Sequence, residues 1–182
     1  LGLACFKQGD PAAAEKWLRQ ATQVNARDSV AWYQLAMVYR KLGREEEARK
    51  AFAKSAELRQ RDIDESQIRI ECAKKLDSGP RAEARAFCQQ LYVSDDAERL
   101  TALGTIYGQH GDLEAALGPL RRAAELAPER PQMQYNLAFT YYQLGRFEDA
   151  REPIAKAVER WPDLFQLNFL YGAVLATLGE NL

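Results

Sequence analysis

The sequence predicts an all-α chain of antiparallel helix pairs, about eleven helices in all, and three observations carry that expectation. Glycines fall at Gly9, Gly43, Gly79, Gly111, Gly145 and Gly179, spaced 34, 36, 32, 34 and 34 residues apart. An alanine follows five residues after each of the first five, at Ala14, Ala48, Ala84, Ala116 and Ala150. Four residues further on stands a core-sized side chain: Leu18, Phe52, Cys88, Leu120 and Ile154. Between the glycines apolar residues recur with helical period, and no segment shows the sustained two-residue alternation of a half-buried strand.

Residues 1–28 read as the later part of one helix pair, in which Gly9 ends a helix and Asp10 before Pro11 opens the next. In residues 29–62, Asp28-Ser29 open a helix that carries Trp32, Leu35, Ala36, Tyr39 and Leu42 on one face. Gly43 then turns the chain through the left-handed conformation, and a second run carries Ala48, Ala51, Phe52, Ser55, Ala56 and Leu58. Residues 63–96 are the irregular unit, with Ser66 and Arg69 where large apolar residues belong. Its turn, Asp77-Ser78-Gly79-Pro80, reads two residues longer than its neighbours, and the following connection two shorter. Ser78-Gly79 before Pro80 also suits a helix start.

Residues 97–130 and 131–164 are regular, with Pro128 and Pro162 ending their second helices. Residues 165–182 spell one further first helix with Tyr171, Gly172, Leu175, Leu178 and Gly179 along it. No second helix follows to cover it, and Leu1 and Gly2 enter mid-helix, so the chain reads as a piece of a longer array. The expectation at such ends is fraying of residues 165–182 or end-to-end self-association.

Composition narrows the function classes. With 47% hydrophobic and 28% charged residues the chain has material for a core, and no run approaches the roughly 18 apolar residues of a membrane span. Twenty-five basic against 26 acidic residues give a formal charge of −1, which sets nucleic acid aside as a partner. The single histidine, His110, precedes a turn glycine, where a capping or surface role is expected. That removes His-based metal sites and Ser–His or Cys–His catalysis. No phosphate-binding, dinucleotide or nucleophile-elbow motif is present, so neither a cofactor nor an enzymatic activity is expected. Carboxylates such as Glu45-Glu46-Glu47 solvate the start of a second helix.

Cys5, Cys72 and Cys88 form no C-x-x-C pair and read as three buried thiols in a reducing compartment, cytoplasm ahead of periplasm. The alternative is a disulfide between Cys72 and Cys88, which lie on the two helices of residues 63–96. Seventeen arginines against eight lysines, with abundant alanine, suit a GC-rich bacterial genome.

A helix pair every 34 residues with these residue types resembles the tetratricopeptide repeat family. The residues that carry the resemblance are Trp32, Leu35, Ala36, Tyr39, Gly43, Ala48 and Phe52, with Ser55 and Gln60 where the family has Ala and Pro. They continue with Leu100, Leu103, Gly104, Tyr107, Gly111, Ala116, Leu120, Ala123 and Pro128. Leu137, Ala138, Tyr141, Gly145, Ala150, Ile154, Ala157 and Pro162 follow, departing from the pattern at Gln134. The resemblance implies a right-handed superhelical solenoid whose concave wall, lined by first helices, holds an extended peptide or a helix.

It therefore implies a protein–protein interaction scaffold. The family's groove-facing places fall here on Tyr33, Met37, Arg40 and Lys41, on Lys74, and on Thr101, Thr105 and Gln109. They continue with Tyr135, Asn136, Phe139 and Tyr142, and with Phe169 on the last helix. The groove so implied is basic toward its N-terminal half and aromatic, nearly uncharged, toward its C-terminal half. The carboxylate clamp of chaperone-binding relatives is met only at Asn136; Tyr33, Met37, Gln166 and Leu170 depart from it. Two alternatives stand beside the groove: an assembly module that associates through its ends, and a regulatory domain of a larger multidomain protein.

Overall fold

The fold begins with caps that the local sequence supplies. The computed structural model describes residues 2–7 and 9–179, and Leu1 and the side chain of Cys5 lie outside the described residues. Among the described residues all regular structure is helical. The chain divides into two units, residues 1–66 and 67–182.

The first unit holds α1 (Gly2–Lys7), α2 (Pro11–Val24), α3 (Ser29–Lys41) and the beginning of α4 (Glu45–Ser78). Asp10 and Asp28 each accept a hydrogen bond from the backbone N–H three residues on, at 2.9 Å, which satisfies donors that a helix start leaves open. Between α3 and α4 Gly43 adopts φ +74°. Its N–H donates to the Arg40 carbonyl (3.1 Å) and the Arg44 N–H to the Tyr39 carbonyl (2.9 Å), closing the helix end as a Schellman motif. The same closure recurs at Gly111 and Gly145. The unit's core joins Ala14, Leu18, Leu35, Ala36, Val38, Tyr39, Ala48 and Ala51, flanked by Phe6, Trp32 and Phe52. Ser55, where the family places alanine, is buried and donates to the Ser29 carbonyl at 2.8 Å, so its hydroxyl carries no desolvation penalty.

The expected count of eleven helices is too high. Residues 45–78 form one continuous helix of 34 residues, with no turn after residue 62. The cause is chemical: the stretch Arg59-Gln60-Arg61-Asp62-Ile63-Asp64 contains neither glycine nor proline. Pro128 and Pro162, at the corresponding connections, follow helices that end at Leu126 and Arg160.

The second unit holds the rest of α4, then α5 (Arg81–Cys88), a 3₁₀ turn (Gln89–Leu91), α6 (Ala97–Gln109) and α7 (Leu113–Leu126). It continues with α8 (Pro131–Gln143), α9 (Phe147–Arg160) and α10 (Phe165–Leu178). The turn expected to be two residues longer is shorter: α4 runs through Ser78 and leaves only Gly79-Pro80 before α5. Gly79 is not in the left-handed region; its N–H donates to the Lys75 carbonyl at 2.8 Å, extending the helical pattern. The start of α5 has no side-chain cap, against the expectation for Ser78. The connection after α5 is not shortened; α5 itself is, to 8 residues against 14 in α7 and α9.

This short helix lies against the last turns of α4. Cys72 and Cys88 are joined there by a disulfide, with Cα atoms 5.1 Å apart and both side chains fully buried. The expectation of three free thiols is thereby corrected for these two. One contiguous core runs from Cys72 to Val174. At Gly104 an added Cβ would overlap the Leu120 side chain and stand 3.3 Å from the Ala116 carbonyl, so α6 and α7 approach as closely as backbones allow.

Candidate functional site

Three helices of the second unit carry the wall that the resemblance assigns to a ligand: α6, α8 and α10. Neither α8 nor α10 contains a charged residue. On α8, Tyr135 and Phe139 lie one turn apart and stack with ring centroids at 5.7 Å and planes within 7°. On α10, Phe165 and Phe169 repeat the arrangement at 5.9 Å and 28°. Phe139 is 37% exposed, Phe169 68% and Phe165 77%. Large apolar rings left this open are the informative exception on a protein surface.

Beside the Tyr135–Phe139 pair a cleft of about 250 Å³ opens between α6 and α8. Gly104 and Gly108 form its glycine side, and Thr105, Gln109, Asn136, Phe139 and Gln143 line it. An added Cβ at Gly108 would meet nothing within 4 Å, so the glycine leaves real space. The Asn136 Oδ1 accepts from Gln132 Nε2 at 2.7 Å, which orients its amide. The cleft thus combines an aromatic edge, open floor and three side-chain amides of the kind that bond a peptide main chain.

The structure gathers Thr105, Gln109, Asn136 and Phe139 around this cleft, with Tyr135 on Phe139. Thr101 is taken up elsewhere: its hydroxyl donates to the Ala97 carbonyl at 2.7 Å and packs against the Met133 sulfur. Tyr142 is half-buried and packs edge-on against Phe147 of α9 at 5.3 Å. Lys74, on α4, is exposed and lies 4.0 Å from Glu71.

In the first unit Tyr33 meets Phe52 edge-on at 5.5 Å, Arg40 contacts the Met37 sulfur at 3.2 Å, and Lys41 lies 5.2 Å from the Phe6 ring centroid. Sequence reasoning placed Gln143 on this wall and passed over Gly108 and Phe165. Gly108 breaks an otherwise good helix former run, and Phe165 stands one turn before Phe169, so both signals were on the page.

A larger cleft, about 900 Å³, lies among α7, α8 and α9. It is strongly charged: Lys156 pairs with Glu152 at 2.6 Å, Arg121 donates to the Tyr141 hydroxyl at 2.6 Å, and Glu148, Glu159 and Arg160 also line it. His110 ties helix ends together: Nδ1 lies 2.5 Å from Asp77 Oδ1, and its carbonyl accepts from Arg81 at 3.0 Å. Among the described residues no group of three or more His, Cys, Asp or Glu is placed to hold a metal ion. No described helix is long and apolar enough to cross a membrane.

Two sequence models of the tetratricopeptide repeat match this chain, over residues 6–67 and 101–180. Cellulose synthase operon protein C of Pseudomonas fluorescens (strain SBW25) is 31% identical over 120 residues, covering 60% of this chain and 9% of that protein. Intraflagellar transport protein 70A1 of Mus musculus is 28% identical over 102 residues, covering 51% of this chain and 15% of that protein. The chain spans only 9% to 20% of the length of such curated relatives. Among solved structures, the P58(IPK) TPR domain aligns with a TM-score of 0.50 at 18% identity, over 96% of this chain and 62% of that one. MamA aligns with a TM-score of 0.45 at 17% identity, over 98% of this chain and 85% of that one.

Proposed function

The chain belongs to the tetratricopeptide repeat family, and from that premise we propose that it is a non-catalytic interaction scaffold whose α6–α8–α10 wall captures an uncharged, aromatic-anchored or apolar-anchored peptide. One observation supports this above the rest. Two first helices, α8 and α10, carry no charge at all and present stacked aromatic pairs, that of α8 beside a cleft lined by amides. Interface cores are depleted of charge and enriched in rigid aromatic side chains, which give contact area at low entropic cost. Covering a large apolar side chain contributes about 1.5–3 kcal/mol, so two or three such anchors hold a short peptide.

Selection of binders from a displayed peptide library tests the reading. Wild-type chain is expected to enrich neutral peptides with aromatic or large aliphatic residues. The Tyr135→Ala/Phe139→Ala double variant is expected to lose them while its circular dichroism stays that of the wild type. Undiminished capture by that variant defeats the proposal.

The exposure of Phe165 and Phe169 also supports a second reading, self-association through α10. Sedimentation velocity over a hundredfold concentration range distinguishes the two. A constant monomer that still captures peptides excludes the second, whereas concentration-dependent growth abolished by Phe165→Ser/Phe169→Ser supports it. The curated relatives are several times longer than this chain, which suits an array that serves a larger polypeptide.

A further inference from the structure

The first unit carries an arrangement unlike anything in the aromatic wall. Arg40, Phe52, Tyr33 and Arg59 form a row. The Arg40 guanidinium carbon lies 5.9 Å from the Phe52 ring centroid, the Phe52 and Tyr33 centroids are 5.5 Å apart, and the Arg59 guanidinium carbon lies 6.0 Å from the Tyr33 centroid. The row follows from helix geometry. Tyr33 and Arg40 stand two turns apart on α3, Phe52 and Arg59 two turns apart on α4, and the helices run in opposite directions through the Gly43 turn. Each arginine therefore reaches along its own helix toward the ring of the other, and the two guanidinium groups flank the aromatic pair from opposite ends.

The two arginines differ from several others in the chain in what they lack. Arg44 is held by Glu15 and Glu47, Arg85 by Asp112, Arg130 by Glu98 and Arg146 by Asp149. Arg40 and Arg59 have no carboxylate within ion-pair distance among the described residues, and both are exposed. Nearby acids are engaged elsewhere: Glu57 takes Lys54 at 2.8 Å and Asp64 takes Gln60 at 2.9 Å. A guanidinium set over an aromatic face offers its remaining N–H groups to a carboxylate; Arg40 gives Nη2 to the Met37 sulfur at 3.2 Å, and its Nε and Nη1 donate to no described residue.

We propose that this row is a second binding site, distinct from the aromatic wall, and that its ligand is an acidic peptide segment. A stretch of four to six residues, extended at roughly 3.4 Å each, spans the row and delivers one carboxylate to each guanidinium. Its intervening side chain or backbone lies on Tyr33, which is 40% exposed. Single-stranded nucleic acid also stacks on aromatic rings between arginines, but such sites follow the backbone with a continuous positive groove. Here two cations stand on a chain of net charge −1. The proposal rests on the scaffold reading only in taking a polypeptide as ligand, and its test does not involve α8 or α10.

The test is fluorescence anisotropy of the whole chain with fluorescein-labelled hexaglutamate, titrated at low and at physiological salt. Saturable binding that weakens with salt is expected. Arg40→Gln/Arg59→Gln should weaken it by about tenfold or more, and Tyr33→Leu should weaken it less. Lys16→Gln/Lys50→Gln, which removes the same charge from exposed positions of the same unit, should change it less than twofold. The proposal is overturned by absent or unsaturable hexaglutamate binding, by equal binding of hexalysine, or by an equal loss in the lysine control. Tighter binding of an oligothymidylate of the same charge also overturns it, in favour of nucleic acid. Thermal unfolding of each variant within two degrees of wild type shows that the losses are local.

Discussion

Arg85 of α5 donates from Nε to Oδ2 of Asp112 at 2.8 Å, and so fastens the short helix to the junction of α6 and α7. Asp112 is the residue before α7, with a side chain only 4% exposed, and its own N–H donates to the Tyr107 carbonyl at 2.8 Å. Because α5 is truncated, this pair supplies part of the attachment that a longer helix would obtain by packing. Arg85→Gln leaves a buried carboxylate without its charged partner. The expected loss is about 1.5–3 kcal/mol, toward the lower end since the arginine is itself half exposed. Urea unfolding with an unchanged slope measures it, and a loss below a few tenths would show the pair to be ornamental.

The same pair sets a pH dependence. The hydrogen bond from Arg85, aided by its charge, holds the Asp112 carboxyl below the usual carboxylate range, and burial only partly opposes this. A group depressed in the folded state stabilises above its unfolded pKa and ceases to do so as pH falls through the folded value. Wild-type stability should therefore fall across the acid limb below about pH 4, and Arg85→Gln should flatten that limb while leaving stability at pH 6–8 parallel. Identical acid limbs would refute the assignment.

The continuity of α4 makes a prediction about a single missing proline. Gln60→Pro restores the family's residue but places it inside a continuous helix, where it removes a hydrogen bond and clashes with the preceding turn. The expected cost is about 3 kcal/mol or more. Pro162→Ala, beyond the end of α9, should cost under about 1 kcal/mol, as a surface change away from such features does. Equal effects would mean that α4 breaks near residue 60 in solution.

The Cys72–Cys88 bond closes a separation of 16 residues at the joint of α4 and α5. A loop of that length contributes about 3 kcal/mol by restricting the unfolded chain. Cys72→Ala/Cys88→Ala should lose stability of that order. Hydrogen exchange should then show residues 67–91 opening before α6–α9. Protection of α5 equal to that of α7 in the variant would refute it.

Much of this architecture was legible because glycine leaves a fixed mark. Gly43, Gly111 and Gly145 all take positive φ, and the period that locates them is visible without coordinates. The fusion of two expected helices into α4 was legible too, in Gln60 standing where Pro128 and Pro162 stand, but the period suggested a turn more strongly than the missing breaker denied one. Other features depend on register between helices. Arg59 lies on a second helix, so a reading confined to first helices had no reason to place it beside Tyr33. Arg85 and Asp112 are 27 residues apart and meet only through the packing of α5 beside the junction of α6 and α7. The disulfide needed the direct contact of α5 with α4, which spacing alone left open beside free thiols.

The central claim is that the uncharged aromatic wall is the ligand surface, and a two-dimensional NMR titration with a neutral peptide enriched by the wild-type chain tests it most directly. The account predicts saturable shifts concentrated on Thr105, Gln109, Asn136, Phe139 and Phe169, with those of α7 and α9 smaller. Shifts centred on the cleft among α7, α8 and α9, or spread evenly over the chain, would contradict it.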